Sequence, residues 1–417
     1  MKLLQIILSL VLAWSVKAQA TDTLILDQTY LATKTRTYTL TEKGLNGPGA
    51  ILIKKAIQQS QFTILGEYHG SAQISNFTKA LIPYLRAADY QHFACELGPH
   101  SARRLIAIAN PPAQTLRQLK AFNQQYAFPE IGDIPLPFFE NQEDGAFLSE
   151  IKKYQMQIWG LDQEYFSAVF FLYDELLSLA AYKSNYSEII ALKERGVEEI
   201  KKWMIVDDES EEGIPVFEKI LELPAVQSFF SVFTEQDSLA LQIIEDLKIS
   251  WDIYNRYKGG ASHQDRLNYI RSNFLRAYQN ASEQTVNPKF FVKIGRLHAP
   301  RNPIGGPDVG SLLQEIAKKN GTKSTHLSMM SRYYRVDGQL TDFLKTNPRR
   351  YNRYELFLAA AKPDHGLVID LVSIRADLAN GRVKYPNNTN RKYWQSLIEN
   401  FDYQVVLPAD YPATPAN

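Results

Sequence analysis

The sequence predicts an α/β protein with a mostly parallel central sheet flanked by helices and interrupted by a long helical insertion. Three observations carry this. Short, nearly unbroken apolar stretches at 62–65 (FTIL), 90–95 (YQHFAC), 156–159 (MQIW) and 289–294 (KFFVKI) have the character of strands buried on both faces. Between the first two, Phe77, Ala80, Leu81, Ile82 and Leu85 recur at helical spacing, giving the crossover that parallel strands require. From 165 to 288 strand character gives way to long helical periodicity. The expected division is a signal peptide at 1–20, a first part of the α/β core at 21–165, a lid-like helical insertion at 166–288, and a second part of the core at 289–417.

Composition narrows the class. The chain has 417 residues of which 45% are hydrophobic, enough for a large core. Its 46 basic and 45 acidic residues leave a formal charge of +1, so no net field favours nucleic acid. Lys2, the apolar run 3–16 and Ala18-Gln19-Ala20 form the pattern of a cleaved secretory signal, which predicts a periplasmic or secreted protein. No later run is long enough for a transmembrane segment. The lone cysteine, Cys95, reads as a buried apolar residue.

In chain order, 23–40 suits a short strand or extended arm, and 51–60 a helix. The strand 62–65 runs into Gly66-Glu67-Tyr68-His69-Gly70. The crossover helix, 75–86, carries Pro83, which predicts a kink. The second strand ends at Glu96, and a helix opening at Ser101 with Arg103 and Arg104 is closed by Pro111 and Pro112. A Pro- and aromatic-rich stretch, 124–142, predicts a structured surface loop whose Phe128, Phe138 and Phe139 rim a cleft. Helix 150–157 leads to the third strand and to Asp162. Helices follow at 167–183, 187–204, 215–223, 239–251 and 264–278, with the acidic run 207–212 as a solvated loop. Strand 289–294 ends in Gly295-Arg296-Leu297-His298-Ala299-Pro300-Arg301. A helix at 311–319, strands at 324–329 and 366–371, and a frayed tail at 410–417 complete the reading.

The chemistry collects where strands end. Glu67, Glu96, Asp162 and His298 each fall just past an apolar strand, and parallel strands of one sheet bring such ends together. His69 joins them. Glu67 and His69 are two residues apart, so in extended backbone they face the same way. Two designs remain open: a carboxylate-oriented histidine acting as general base on water, or two histidines and a carboxylate holding a divalent metal. His92, His100, His263, His326 and His365 read as structural or surface groups. Arg266 and Asn273 share one helix face.

These residues carry a resemblance. Gly66-Glu67-Tyr68-His69-Gly70, Cys95-Glu96, Gly160-Leu161-Asp162, Arg266 with Asn273, His298, the 306–313 segment (GPDVGSLL) and 364–370 (DHGLVID) follow the order seen in the erythromycin-esterase-like superfamily. That group also includes the ChaN-like haem-binding proteins and Tiki-type proteases. The resemblance implies His69 as general base, Glu67 and Glu96 orienting it, and His298 as second imidazole. Arg266 enters as an electrostatic partner, with Arg296, Arg301, Asp162 and Tyr68 contacting a small-molecule substrate. One residue between Glu67 and His69 matches the ChaN-like spacing, whereas the macrolide esterases have two. The leading expectation is thus water-mediated cleavage of an ester or related bond with no cofactor required. The alternatives are a ChaN-like haem or small-ligand binder using Tyr68 or a histidine, and a Tiki-like protease using a divalent metal. Oligomeric state is left open.

Overall fold

Alternation along the first core strand sends Phe62 and Ile64 to one side of the sheet and Leu65 to the other, and both sides are buried. The same two-sided burial holds along 289–295, so helices must cover both faces. In a computed structural model of the chain, residues 23–42, 44–209, 216–257 and 262–414 are described. The expected signal segment lies outside them.

The strands of the main sheet are β1 (Thr35–Thr41), β2 (Gly44–Asn46), β3 (Phe62–Glu67), β4 (Tyr90–Cys95), β5 (Gln157–Gly160), β6 (Lys289–Gly295), β7 (Ser324–Met330), β8 (Gly366–Asp370) and β9 (Tyr403–Val406). Their order is β2-β1-β8-β9-β7-β3-β6-β4-β5. From β9 to β5 every pairing is parallel, while β8, β1 and β2 extend the sheet antiparallel. The register sets Glu67 level with Gly295, and Cys95 level with both Lys293 and Gly160. Four strand ends, β3, β6, β4 and β5, therefore open side by side.

The β3–β4 crossover is the helix Ala72–Ala87, started by the Ser71 hydroxyl accepting from the Ile74 N–H and continuous through Pro83. Between β5 and β6 the chain is helical, with helices Val169–Leu179, Tyr186–Glu209, Val216–Glu222, Pro224–Phe230, Ser238–Tyr257 and Ser262–Ser282. The acidic residues 207–209 continue a helix, and 210–212 lie outside the described residues.

Several expectations need correction. The arm at 23–40 contains the helix Gln28–Lys34, capped by the Asp27 side chain and anchored by buried Tyr30 and Leu31, before β1 begins. Helix Thr115–Tyr126 precedes the Pro-rich loop. After β7, a two-stranded hairpin (Tyr333–Val336 with Gln339–Asp342) and a chain of short helical turns extend to Leu358. The expected frayed tail, 410–417, is docked over its described part: Asp410 is fully buried, the Ala413 N–H donates to Gly70 O (3.0 Å), and Ala72 N–H donates to Tyr411 O (3.2 Å), while 415–417 lie outside the described residues.

Candidate functional site

Glu67 closes β3, Glu96 follows β4, Asp162 lies two residues past β5, and His298 three past β6. The side-by-side strand ends bring all four to one edge of the sheet. Gly295 sits among them, where a Cβ would stand 3.1 Å from Glu96 Oε2 and 3.5 Å from His69 Nε2. Glycine thus allows the carboxylate and imidazole to close on the backbone, and the Gly295 N–H donates to Glu96 Oε2 at 2.6 Å.

His69 is the exposed member of this cluster, with 39% of its side chain accessible, against 6% for Glu67, 5% for Glu96 and 7% for His298. Its Nδ1 lies 3.8 Å from Glu67 Oε1 and its Nε2 3.8 Å from Glu96 Oε2. Both distances exceed a direct hydrogen bond. The imidazole therefore feels two carboxylates without being locked to either. Each carboxylate has its own counter-charge. Lys293 Nζ is 2.6 Å from Glu67, and Arg266 reaches Glu96 (2.9 Å) while binding Asp162 through two nitrogens (2.5 and 3.0 Å). Asn273, on the Arg266 helix, donates to the Leu161 carbonyl and fixes the loop that carries Asp162.

The second imidazole is held from behind. His298 Nδ1 is 2.8 Å from Asp308 Oδ2, leaving Nε2 3.7 Å from Glu96 Oε1. Burial works against its charge, but the Asp308 hydrogen bond and the charges of Glu96 and Asp308 outweigh it, so the His298 pKa is raised. The same contest raises the Lys293 pKa: burial opposes the ammonium, while Glu67 and Asp144 stabilise it.

Not every residue singled out in the sequence reaches this cluster. Glu67, His69, Glu96, Asp162, Arg266 and His298 converge. Tyr68 faces away from them: its hydroxyl donates to Asp410 Oδ2 (2.5 Å) and lies 2.7 Å from the Ser331 hydroxyl. Burial and the Asp410 charge push this phenol well above its ordinary pKa. Arg296 lines a cleft beside His69 with its guanidinium 5.2 Å over the Tyr354 ring. Arg301 turns into the fold instead, to Asp402 (3.0 Å) and Gln314. Of the expected aromatic rim only Phe138 covers the site, stacked on His69 at 4.0 Å, since Phe128 and Phe139 are buried. Lys293, Asp308 and Asp410 were not anticipated as site residues. Lys293 had a signal, a lysine inside an otherwise apolar strand, which must find a counter-charge when buried.

His69 lies between two cavities. One, of about 560 Å³, is lined by His69, Arg296, Tyr334 and Tyr351 among others. The other, of about 300 Å³, includes Glu67, Phe138, Glu140 and Lys293. Among the described residues neither is lined by the helical segment between β5 and β6, which reaches the cluster through Arg266 instead.

Fold and site together define an α/β protein with an exposed imidazole set among buried, counter-charged carboxylates at the carboxyl edge of a mostly parallel sheet. No family model matches the chain, and no curated protein matches its sequence. Solved structures do. A histidine-to-asparagine variant of the erythromycin esterase EreC in its open conformation aligns with a TM-score of 0.53 at 14% identity, over 92% of this chain and 99% of that one. A succinoglycan biosynthesis protein aligns with a TM-score of 0.52 at 14% identity, over 93% and 98%. A protein from Bacillus cereus gives 0.51 at 15% identity, again over 93% and 98%. The chain has the erythromycin-esterase-like fold along nearly its whole length.

Proposed function

We propose that this chain is a hydrolase-like protein that cleaves an ester or related bond of a small molecule with water activated by His69. The observation that carries the reading is His69 itself, an exposed imidazole with each ring nitrogen 3.8 Å from a buried carboxylate. A water bound at a free ring nitrogen would lose its proton to His69 as its oxygen attacks the carbonyl carbon. The imidazolium then lies between Glu67 and Glu96, which stabilise it. Collapse of the tetrahedral intermediate breaks the bond to the leaving oxygen, which takes the proton back from His69. Arg266 keeps Glu96 paired while His69 changes charge, with His298 on the far side of that carboxylate.

This reading needs no cofactor. A dication between Glu67 and Glu96 would meet Lys293 and Arg266, cations already bound to those carboxylates. Haem ligation through Tyr68 would require breaking its hydrogen bond to Asp410. Export, to a periplasm or outside the cell, belongs to the same proposal and rests on residues 1–20.

The test is a panel of aryl and alkyl esters and lactones offered to the purified protein with and without EDTA. His69→Ala should lower turnover by about 10²–10⁴-fold, with its urea midpoint close to that of the parent because the side chain is partly exposed. Full activity in His69→Ala, or activity abolished by EDTA and restored by a metal, overturns the proposal. A Soret shift with added haem that is lost in Tyr68→Phe supports the binding alternative instead.

A further inference from the structure

The larger cleft beside His69 is cationic, and the cations in it are unmatched. Arg296 comes from the loop after β6, and Arg350 and Arg353 from the short turns Pro348–Tyr351 and Asn352–Tyr354. The lining contains no aspartate or glutamate. Arg266, Arg301, Arg332 and Arg375 elsewhere in the fold each pair with a carboxylate, but among the described residues Arg296, Arg350 and Arg353 make no ion pair. They lie against aromatic rings instead: Arg296 over Tyr354 (5.2 Å), Arg350 over Tyr351 (6.0 Å), and Arg353, which also lines a neighbouring cavity, over Tyr393 (4.7 Å) while donating to the Arg349 carbonyl (3.4 Å). Such contacts orient a guanidinium without neutralising it. Burial raises the pKa of the Tyr351 hydroxyl, and that phenol feels Arg350 and Arg296 as well as the buried Asp410 carboxylate behind the wall. Three like charges gathered on one cleft repel each other, and an anion entering it relieves that repulsion.

The walls between the arginines are flat and apolar. Tyr334 stacks on Phe343 at 4.1 Å, and Tyr351 meets Phe343 edge-on. The bland account is a set of solvated surface arginines. It does not explain why they line the cavity that also contains His69 with no carboxylate in that lining.

We propose that this cleft recognises a small molecule carrying a carboxylate, phosphate or sulfonate on a flat apolar body, with Arg296, Arg350 and Arg353 holding the anionic group and the tyrosines holding the body. That the scissile bond is then presented to His69 rests on the hydrolase reading, whereas the anion site itself does not. Arg350 and Arg353 become specificity-determining residues, and the substrate class becomes esters of anionic compounds.

Binding is measured first in His69→Asn protein, where turnover does not interfere, by calorimetric titration with naphthalene-2-sulfonate and with its neutral analogue naphthalene-2-sulfonamide. The sulfonate should bind about tenfold tighter or more at low salt, with the preference shrinking at 0.5 M salt. Arg350→Gln, at an exposed position, and Arg353→Gln, at a half-buried one, should each weaken the sulfonate about 3- to 10-fold and leave the sulfonamide unchanged. Equal affinity for the two probes, or equal weakening of both by the arginine variants, overturns the inference. Turnover of 4-acetoxybenzoate and of its methyl ester by the parent protein separates the two proposals. If the sulfonate preference holds and neither ester is cleaved, the anion site stands and the hydrolase reading loses support. If both esters are cleaved with the same kcat/KM, the hydrolase reading stands and the anion site falls.

Discussion

Lys293 offers the sharpest test of how the site is held together. It lies in β6 with 5% of its surface accessible, its ammonium 2.6–2.7 Å from both oxygens of Glu67, itself 6% accessible. Replacing it by methionine keeps the length and most of the volume, so little of the effect comes from a cavity. What is lost is the counter-charge of a buried carboxylate. Breaking a buried pair from one side costs about 3–5 kcal/mol, whereas replacing both partners by neutral groups of similar shape is close to neutral. Lys293→Met should therefore be destabilised by about 3–5 kcal/mol, and Glu67→Gln/Lys293→Met should recover most of that loss. Urea unfolding followed by tryptophan fluorescence and far-UV circular dichroism supplies the numbers, with coincident transitions and an unchanged m as the conditions for reading them as free energies. The pH dependence has a definite sign. Because the folded lysine has a raised pKa, its contribution is complete below the unfolded lysine value and is lost only as pH rises through the higher folded value. At neutral pH the single variant must show the full penalty. A cost under about 1 kcal/mol, or single effects that simply add in the double variant, would refute the buried pair as the organiser of Glu67.

Two further outcomes follow from the same geometry. His298 has a raised pKa, so the stability its charge contributes is present below the unfolded histidine value and lost as pH rises through the folded one; Asp308→Asn should move the His298 titration seen by NMR downward, and an unmoved midpoint excludes Asp308 as its cause. Asp410→Ala removes the acceptor shared by the Tyr68 and Ser71 hydroxyls and the Gln73 N–H, which should cost at least about 2 kcal/mol and expose the C-terminal segment to proteolysis; parent-like stability and protease resistance would show that this segment is not tied to the site.

The core strands were legible because each is buried on both faces and so reads as an uninterrupted apolar run, and the convergence of Glu67, Glu96, Asp162 and His298 followed from placing those runs parallel. Residues that act across the chain were less legible. Asp308 caps the helix Val309–Lys319, its side chain accepting from the Val309 N–H while its backbone N–H donates to the Ser311 hydroxyl, and a cap looks the same in sequence whether or not it also binds a histidine. The wall after β7 is built from turns of three or four residues, too short for any periodicity to accumulate. Asp410 stands in a Pro-flanked polar stretch that reads as a tail, because nothing local reports that its partners lie more than 300 residues earlier.

That last contact changes the meaning of the single residue between Glu67 and His69. Alternation in extended backbone puts Glu67 and His69 on one side and Tyr68 on the other. Glu67 is fixed by Lys293, and Tyr68 by Asp410 and Ser331, so the chain entering His69 is held from both faces. Immediately after it, Gly70 adopts a positive φ of 76° and its carbonyl accepts from Ala413, while Ser71 bridges Pro412. A glycine-flanked turn in isolation would let the imidazole wander. Here the C-terminal segment clamps the backbone on one side of His69 and the buried ion pair clamps it on the other, while the exposed ring itself is held only by stacking on Phe138. The spacing therefore does more than align an acid with a histidine: its middle residue is the anchor that positions the histidine.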